Sequence, residues 1–485
     1  VLVDGIRPRK IIKANKFQVH HEHDGSFWGP KNIDTNFIKQ KKIVKKKEPL
    51  KLDFSIFGRL FSYRTLLVII IMVLIVGLSS VITKSYFFIN NNYDFLKLFS
   101  SGRYLLLFQN NTEMRATGGF IGSYAVIEVK NGDLVDYEFN SNVLKKDNEL
   151  AITNPVSAPD PILSFFIGEG KWGLRDSNWA IDYQSSAEQA AWFYEQEGGK
   201  PVDGVMAINA TAFQNLLDIT GPIDMPEYNT VINSDNFLDV TQYKIEKEYF
   251  DNPLNRVINE PKSILKDMMP RVITKLTEKN NYQKLSDFAK NELDNKQILL
   301  YFYDDNKEKI ALDNNWAGEV KKSSGDYLYV VNSNLGGMKS SLKVKEDINL
   351  NSIVSDEKSI VNTLTITRTH TGDGEWPDHE NVNYIRILVP YGSELISAKL
   401  DDVGCSNDVL VKKESGKSVF SIWMITKPRS SRILTLTYKI PLEISKDKYS
   451  VLVQKQPGNL GDNLSVSVNG QVQYNGILNK DIEIK

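Results

Sequence analysis

The chain has 485 residues, with 59 lysines and arginines against 60 aspartates and glutamates, for a formal net charge of -1. That length suffices for two or three domains with substantial cores, and the single cysteine, Cys405, excludes an internal disulfide framework. The basic excess gathers before residue 65, which leaves the remainder acidic and argues against a nucleic-acid partner.

The first element in chain order is an apolar run from Thr65 to Thr83, TLLVIIIMVLIVGLSSVIT, bounded by Arg64 and Lys84. It carries no charge and is about as long as the ~20 helical residues that cross a bilayer core. A helix buried in a soluble core would show a polar face. Ahead of it lie Lys39, Lys41, Lys42, Lys45, Lys46, Lys47, Lys51, Arg59 and Arg64 against only Glu48 and Asp53. The positive-inside rule therefore places residues 1–64 in the cytoplasm as a basic, largely disordered tail against the anionic lipid of the bilayer. A cleaved signal peptide is the competing reading, but the run exceeds an h-region and no small-x-small site follows it. The expectation is a single-pass plasma-membrane protein: transmembrane helix 65–86, spacer 87–103, and everything beyond extracytoplasmic.

Beyond the spacer, Tyr104 to Phe108 reads as a strand and Gln109 to Gly118 as a loop. Phe120 to Val129, Asn131-Gly132 and Leu134 to Phe139 form the pattern of a tight hairpin. Ser186 to Glu197 has helix-forming composition, with Ser185 as N-cap and Gly198-Gly199 as its stop. A strand at Val202 to Ile208, a helix at Thr211 to Ile219, helical sequence from Pro261 to about Asn295, and strands at Ile298 to Tyr303 and Tyr327 to Val331 complete an α/β layered domain over 104–339. From Ser340 to Lys485 the texture changes to short alternating runs such as Thr363 to Arg368, Tyr384 to Val389 and Ile433 to Ile440. Those runs predict an antiparallel β-sandwich over 340–485.

Two segments place polar groups where a strand gives way to a loop. The first contains Asn110, Asn111, Arg115, Gly118 and Gly119. It combines amides, a guanidinium and paired glycines whose backbone N–H groups suit an anion at the carboxyl end of a strand. The second contains Arg175, Asp176, Asn178 and Asp182; an Arg beside an Asp supplies a phosphate fork and a carboxylate ligand for a metal. The bland readings are a structural ion pair and a turn.

The runs QNNTEMRATGGFIGSYAVIEVKNG, LRDSNWAIDYQSSAEQAAWFYEQEGGKPVDGVMAINATAFQNLLDITGPIDMP, YVVNSNLGGMKSS and YSVLVQKQPG resemble a bacterial membrane-protein family known as domain of unknown function 4012, from about Tyr104 to the C-terminus. More distantly, the order of motifs is similar to the LytR-CpsA-Psr phosphotransferases, which are anchored by one N-terminal helix. Those enzymes transfer a glycopolymer phosphate from a polyprenyl pyrophosphate carrier to peptidoglycan. That resemblance implies a LytR-CpsA-Psr-like α/β fold, Arg175, Asp176 and Arg115 as catalytic residues, and Mg2+ as cofactor on Asp176. Asn110, Asn111, Gly118, Gly119, Asn178 and Asp182 would be ligand contacts. The chain departs from the pattern where Ala116-Thr117-Gly118 follows Arg115 in place of an aspartate, and where Lys244-Ile245-Glu246-Lys247-Glu248 replaces an arginine-rich stretch. Exchanging arginine forks for glutamates reverses the local field.

Three functions remain open at the level of sequence. One is a cell-envelope transferase acting on polyprenyl-phosphate-linked glycopolymer. Another is a non-enzymatic surface protein binding such a glycopolymer, an envelope glycan, peptidoglycan or a partner protein. The third, a hydrolase, is disfavoured: no Gly-x-Ser-x-Gly elbow is present, and His370 and His379 fall in the sandwich as exposed polar positions.

Overall fold

The computed structural model describes residues 98–165, 171–258, 261–276, 282–355, 359–441 and 448–485. The tail, the apolar run 65–83 and most of the spacer lie outside the described residues. Among the described residues no helix is long and apolar enough to cross a membrane.

A mixed α/β region comes first. Strands β1 (Gly102–Arg115), β2 (Gly118–Lys130), β3 (Asp133–Asn140), β4 (Gly204–Asn209) and β5 (Ile298–Phe302) form one sheet in the order β3-β2-β1-β4-β5. Only β1 and β4 run parallel. Alternation along β1 sends Leu105 and Leu107 to one face and Tyr104 and Leu106 to the other. Helix α1 (Val143–Thr153) follows β3, and both faces of the sheet are covered. Leu105 and Leu107 pack with Ala187, Ala190 and Phe193 of helix α2 (Tyr183–Gln196). Tyr104 and Leu106 share a core with helices α3 (Ala210–Thr220), α5 (Ser263–Leu276) and α6 (Tyr282–Asp294). Between α3 and α5 lies α4 (Phe237–Tyr243), which continues into a π-helical turn at Lys244–Glu248.

The expected hairpin turn is present, with Asn131 (φ 53°) and Gly132 (φ 83°) both left-handed, as a type I′ turn requires. The segment 109–118, read as a loop, is instead mostly strand. β1 continues to Arg115 and pairs with β2, its register slipping between Asn110 and Met114 so that the polar residues fit within a ladder. Helix α2 begins earlier than expected, and its N-cap is Asp182 rather than Ser185.

The C-terminal region is β-rich. Strands β6 (Asp326–Asn334), β7 (Val344–Val354), β8 (Ile360–His370), β9 (Asn381–Pro390), β10 (Glu394–Leu400), β11 (Val403–Gly404), β12 (Leu410–Glu414), β13 (Lys417–Thr426), β14 (Ser430–Ile440), β15 (Val451–Gln454), β16 (Asp462–Val468), β17 (Gln471–Leu478) and β18 (Ile482–Ile484) make two sheets. Their orders are β12-β13-β9-β6-β15-β18 and β11-β10-β14-β8-β7-β16-β17, and a common apolar core draws on both. The sheets are mixed rather than purely antiparallel, because β6 pairs parallel with β15 and β7 parallel with β16. Strand β6 lies before the change of texture at residue 340 yet belongs to this region's first sheet. Ala116 and Ile181 of the α/β region join Tyr327, Tyr329 and Leu388 in a shared buried cluster, so the two regions meet through an apolar interface.

Candidate functional site

Arg115, Arg175 and Asp176 converge, but on one another. Arg115, 2% exposed, ends β1. Its Nε and Nη2 donate to Asp176 Oδ1, each at 3.1 Å, Nη2 donates to Glu113 at 3.0 Å, and Nη1 donates to the Asn334 carbonyl at 2.6 Å. Arg175 Nε faces Asp176 Oδ2 at 3.4 Å and Asp147 at 3.8 Å. Burial alone would raise the Glu113 carboxyl, yet Lys339 and Arg115 hold it below its usual range. Every formal charge here has an opposite neighbour, the signature of a structural ion-pair network.

The donor set does not suit a divalent cation. Both oxygens of Asp176 are taken up by guanidinium groups, and Asp147 accepts from the Leu174 and Arg175 backbone N–H groups. Among the described residues no group of three or more His, Cys, Asp or Glu side chains could hold a metal ion. Mg2+ would have to displace an arginine to reach Asp176.

The remaining sequence-selected residues are tied into the frame. Asn110 accepts from the backbone and hydroxyl of Thr112, and Asn111 donates to Thr211 at 2.7 Å and to the Gly458 carbonyl at 2.8 Å. Asn178 donates to the Gly119 carbonyl and Asp182 accepts from the Val320 N–H. The Gly119 N–H, read as an anion donor, instead donates to Asn209 Oδ1 at 3.0 Å. Gly118 sits at φ 133°, a backbone conformation that side-chain-bearing residues rarely adopt, so it is the backbone that requires the glycine. His370 is buried rather than exposed; its Nε2 meets the His379 carbonyl and its Nδ1 accepts from the Gly372 N–H, leaving neither nitrogen to activate a nucleophile.

Open space lies next to this network. A cavity of about 280 Å³ is walled by Phe108, Phe120, Phe139, Ile208, Phe213 and Leu216 among other apolar side chains. It sits where the parallel pairing of β1 with β4 ends, at Gln109 and Asn209, beside Ala210 at the start of α3, the kind of place where ligands of open α/β sheets bind. Its charged lining residues are Lys262, Lys266 and Lys339 against Glu246. Burial pulls the Lys262 amine down to about 7, Lys339 pushes the same way and Glu246 opposes them. The Lys262 amine donates to the Gly122 carbonyl. Phe120 forms the seam between cavity and network, with Arg115 at 5.4 Å and Lys339 at 5.7 Å from its ring centre. Of the uncharged polar residues that line the cavity, Gln109 has both side-chain polar atoms, and Gln242 its Nε2, buried without a partner among the described residues.

Of the sequence-selected residues only Asn110 lines this space. The lysines and the apolar wall were not singled out, because an apolar residue facing a cavity has the same helical spacing as one facing a core. Ile245 and Glu246, which also line the space, stood in the stretch that departs from the arginine-rich pattern, and that was the one available signal.

Known proteins offer little more. No curated protein matches the chain. Among solved structures it is similar to a protein described as nutrient-binding from Legionella pneumophila (10% identity, 29% of this chain and 54% of the other, TM-score 0.21). It is also similar to leukotriene A4 hydrolase from Saccharomyces cerevisiae (15%, 26% and 23%, TM-score 0.18) and an M1 zinc metallopeptidase from Deinococcus radiodurans (15%, 26% and 32%, TM-score 0.16). The chain spans about half or less of each of these, and scores this low carry no argument about fold or activity. One family model, described as a protein of unknown function, matches residues 101–245, a shorter stretch than the motifs suggested. Strands β1 to β4 and helices α1 to α4 of this chain thus form a DUF4012 domain.

Proposed function

We propose that this chain is a membrane-tethered protein of the cell envelope that binds an amphiphile, with an apolar chain in the cavity and an anionic head at Lys262 and Lys266. The cavity carries the reading: a mostly apolar wall with a cluster of amines suits one end of a lipid phosphate and its neighbouring carbons. At ~30 Å³ per water-sized group, its volume holds about ten such groups, so a long chain would enter only by its head-proximal part. The start of α3 adds a favourable dipole end for the anion. The apolar run 65–83 would hold the domain at the outer leaflet, where a polyprenyl-phosphate-linked glycopolymer presents such a head. The distant resemblance of the motif order to the LytR-CpsA-Psr enzymes points to the same ligand class. Binding is favoured over transfer because Arg115, Arg175 and Asp176, the residues that would do the chemistry, are committed to one another.

The test is binding of farnesyl phosphate to the full chain in nanodiscs, against empty discs and uncharged farnesol. Ala212, 1% exposed and lining the cavity, is replaced by Trp to fill it. Lys262→Met removes a charge-assisted contact and should cost about tenfold in affinity. Ala212→Trp should abolish saturable binding, while wild-type affinity in that variant refutes the cavity as the site.

A further inference from the structure

The wall formed by the π-helical turn differs from the rest of the cavity. Ile245 and Glu246 of that turn line the space, yet the turn itself contains no buried residue. Neither do the residues that follow it as far as Asn255. A π turn inserts an extra residue into a helix and is common at working sites, and a wall without buried anchors opens at low cost. Apart from Lys262 and Lys339, which sit on turns, the rest of the wall comes from the sheet and from helices of the main core, against which the turn itself packs only the partly buried Ile245.

What holds the turn from outside comes from the β-rich region. Trp376 stands edge-on to Tyr243 at 6.3 Å between ring centres, and Lys247 Nζ lies 4.3 Å above the Trp376 ring. Lys339, whose N–H donates to the Pro377 carbonyl at 3.2 Å, reaches Glu246 at 3.6 Å. The turn is thus strapped by the loop between β8 and β9 and by the segment after β6. The Trp376 contacts are of the weak, surface kind, whereas Lys339 is 13% exposed and reaches Glu246 from a more buried position.

We infer that the turn Lys244–Glu248 is a lid over the cavity and that Trp376 is its latch, so that the β-rich region controls entry of the ligand. This rests on the ligand reading above for what enters, and on the packing alone for the lid. Trp376 is a positioning residue in this scheme and does not touch the ligand.

The test has two arms on the full chain. In the first, hydrogen exchange of ligand-free protein is followed by mass spectrometry. Trp376→Ala should speed exchange about fivefold in peptides covering 241–248 and leave the central sheet unchanged, and Trp376→Phe should restore most of the protection. In the second, stopped-flow entry and exit of farnesyl phosphate should both quicken about fivefold in Trp376→Ala, with Kd within about twofold. Unchanged exchange in 241–248 overturns the lid. A weakened Kd with unchanged entry rate also overturns it, because Trp376 would then be part of the binding wall. If wild-type protein binds no lipid phosphate, the ligand reading fails while the exchange arm still decides whether the lid exists.

Discussion

Replacing Arg115 by Met separates a structural arginine from a ligand-binding one. The guanidinium joins β1, the turn bearing Asp176 and the end of β6, and its own carbonyl accepts from Gln456 Nε2. Removing one partner of a buried ion pair costs ~3–5 kcal/mol. Here the loss is cushioned, because Lys339 still faces Glu113 at 3.1 Å and Arg175 still faces Asp176 at 3.4 Å. That places the charge contribution near ~3 kcal/mol. The carbonyls of Met114 and Asn334 also lose their guanidinium donor, adding ~1 kcal/mol. We therefore expect Arg115→Met to lose ~4 kcal/mol of stability. Arg115→Lys, which keeps the charge and loses the fork, should lose about half of that. Equilibrium urea unfolding monitored by tryptophan fluorescence measures both, since Trp172 Nε1 donates to the Asp176 carbonyl and reports on this turn. Asp176→Asn combined with Arg115→Met should cost less than the sum of the single changes, because both break one network. A loss below ~1 kcal/mol in Arg115→Met, together with a tenfold loss of lipid-phosphate affinity, would refute the assignment.

Three further outcomes follow from the geometry. Mg2+ should not stabilise the protein: a site with Kd near ~0.1 mM would add ~2.7 kcal/mol at ~10 mM, and a shift of that size in the unfolding curve would contradict the reading of Asp176 as fully engaged. Lys262, lowered by burial and then by Lys339 to about 7, is charged below that pH and must take up a proton to meet an anion above it. Affinity for farnesyl phosphate should hold near pH 7 and fall by up to about tenfold per unit above it, with proton uptake seen by calorimetry in two buffers; a flat profile to about pH 9 would exclude Lys262 as a head contact. Burial would raise the Asp481 carboxyl, but Lys296 and Lys321 hold it at about 2. Its stabilising contribution is therefore present above the unfolded value of 3.8 and is lost as pH falls towards 2. Asp481→Asn should cost ~3–5 kcal/mol at neutral pH by leaving the buried Lys296 amine unpaired, and should flatten the acid limb of stability against pH.

Much of the architecture was legible from local pattern. Asn131-Gly132 specified its turn, Gly198 ended α2, and alternation over 363–368 and 433–440 marked strands that the structure extends to 360–370 and 430–440. Tertiary pairing was not legible. The parallel pairing of β6 with β15 joins residues more than a hundred positions apart, and no local pattern encodes it. The stretch from Gln109 to Arg115 looked like a loop because its residues are polar. In the folded chain Asn111 and Arg115 are satisfied by Thr211, Gly458, Asp176 and Asn334, which come from distant segments. The same limit explains the site. Arg175-Asp176 was a sound motif for chemistry, and whether such a pair meets a substrate or another arginine depends on contacts that spacing does not contain.

The most direct test of the central claim is the mass of what the protein carries. Full chain purified from cells in mild detergent would be measured by native mass spectrometry beside Ala212→Trp. The account predicts one amphiphile per chain, releasing an apolar chain joined to phosphate, and none on the variant. No bound lipid on the wild type, or equal occupancy in the variant, would contradict it.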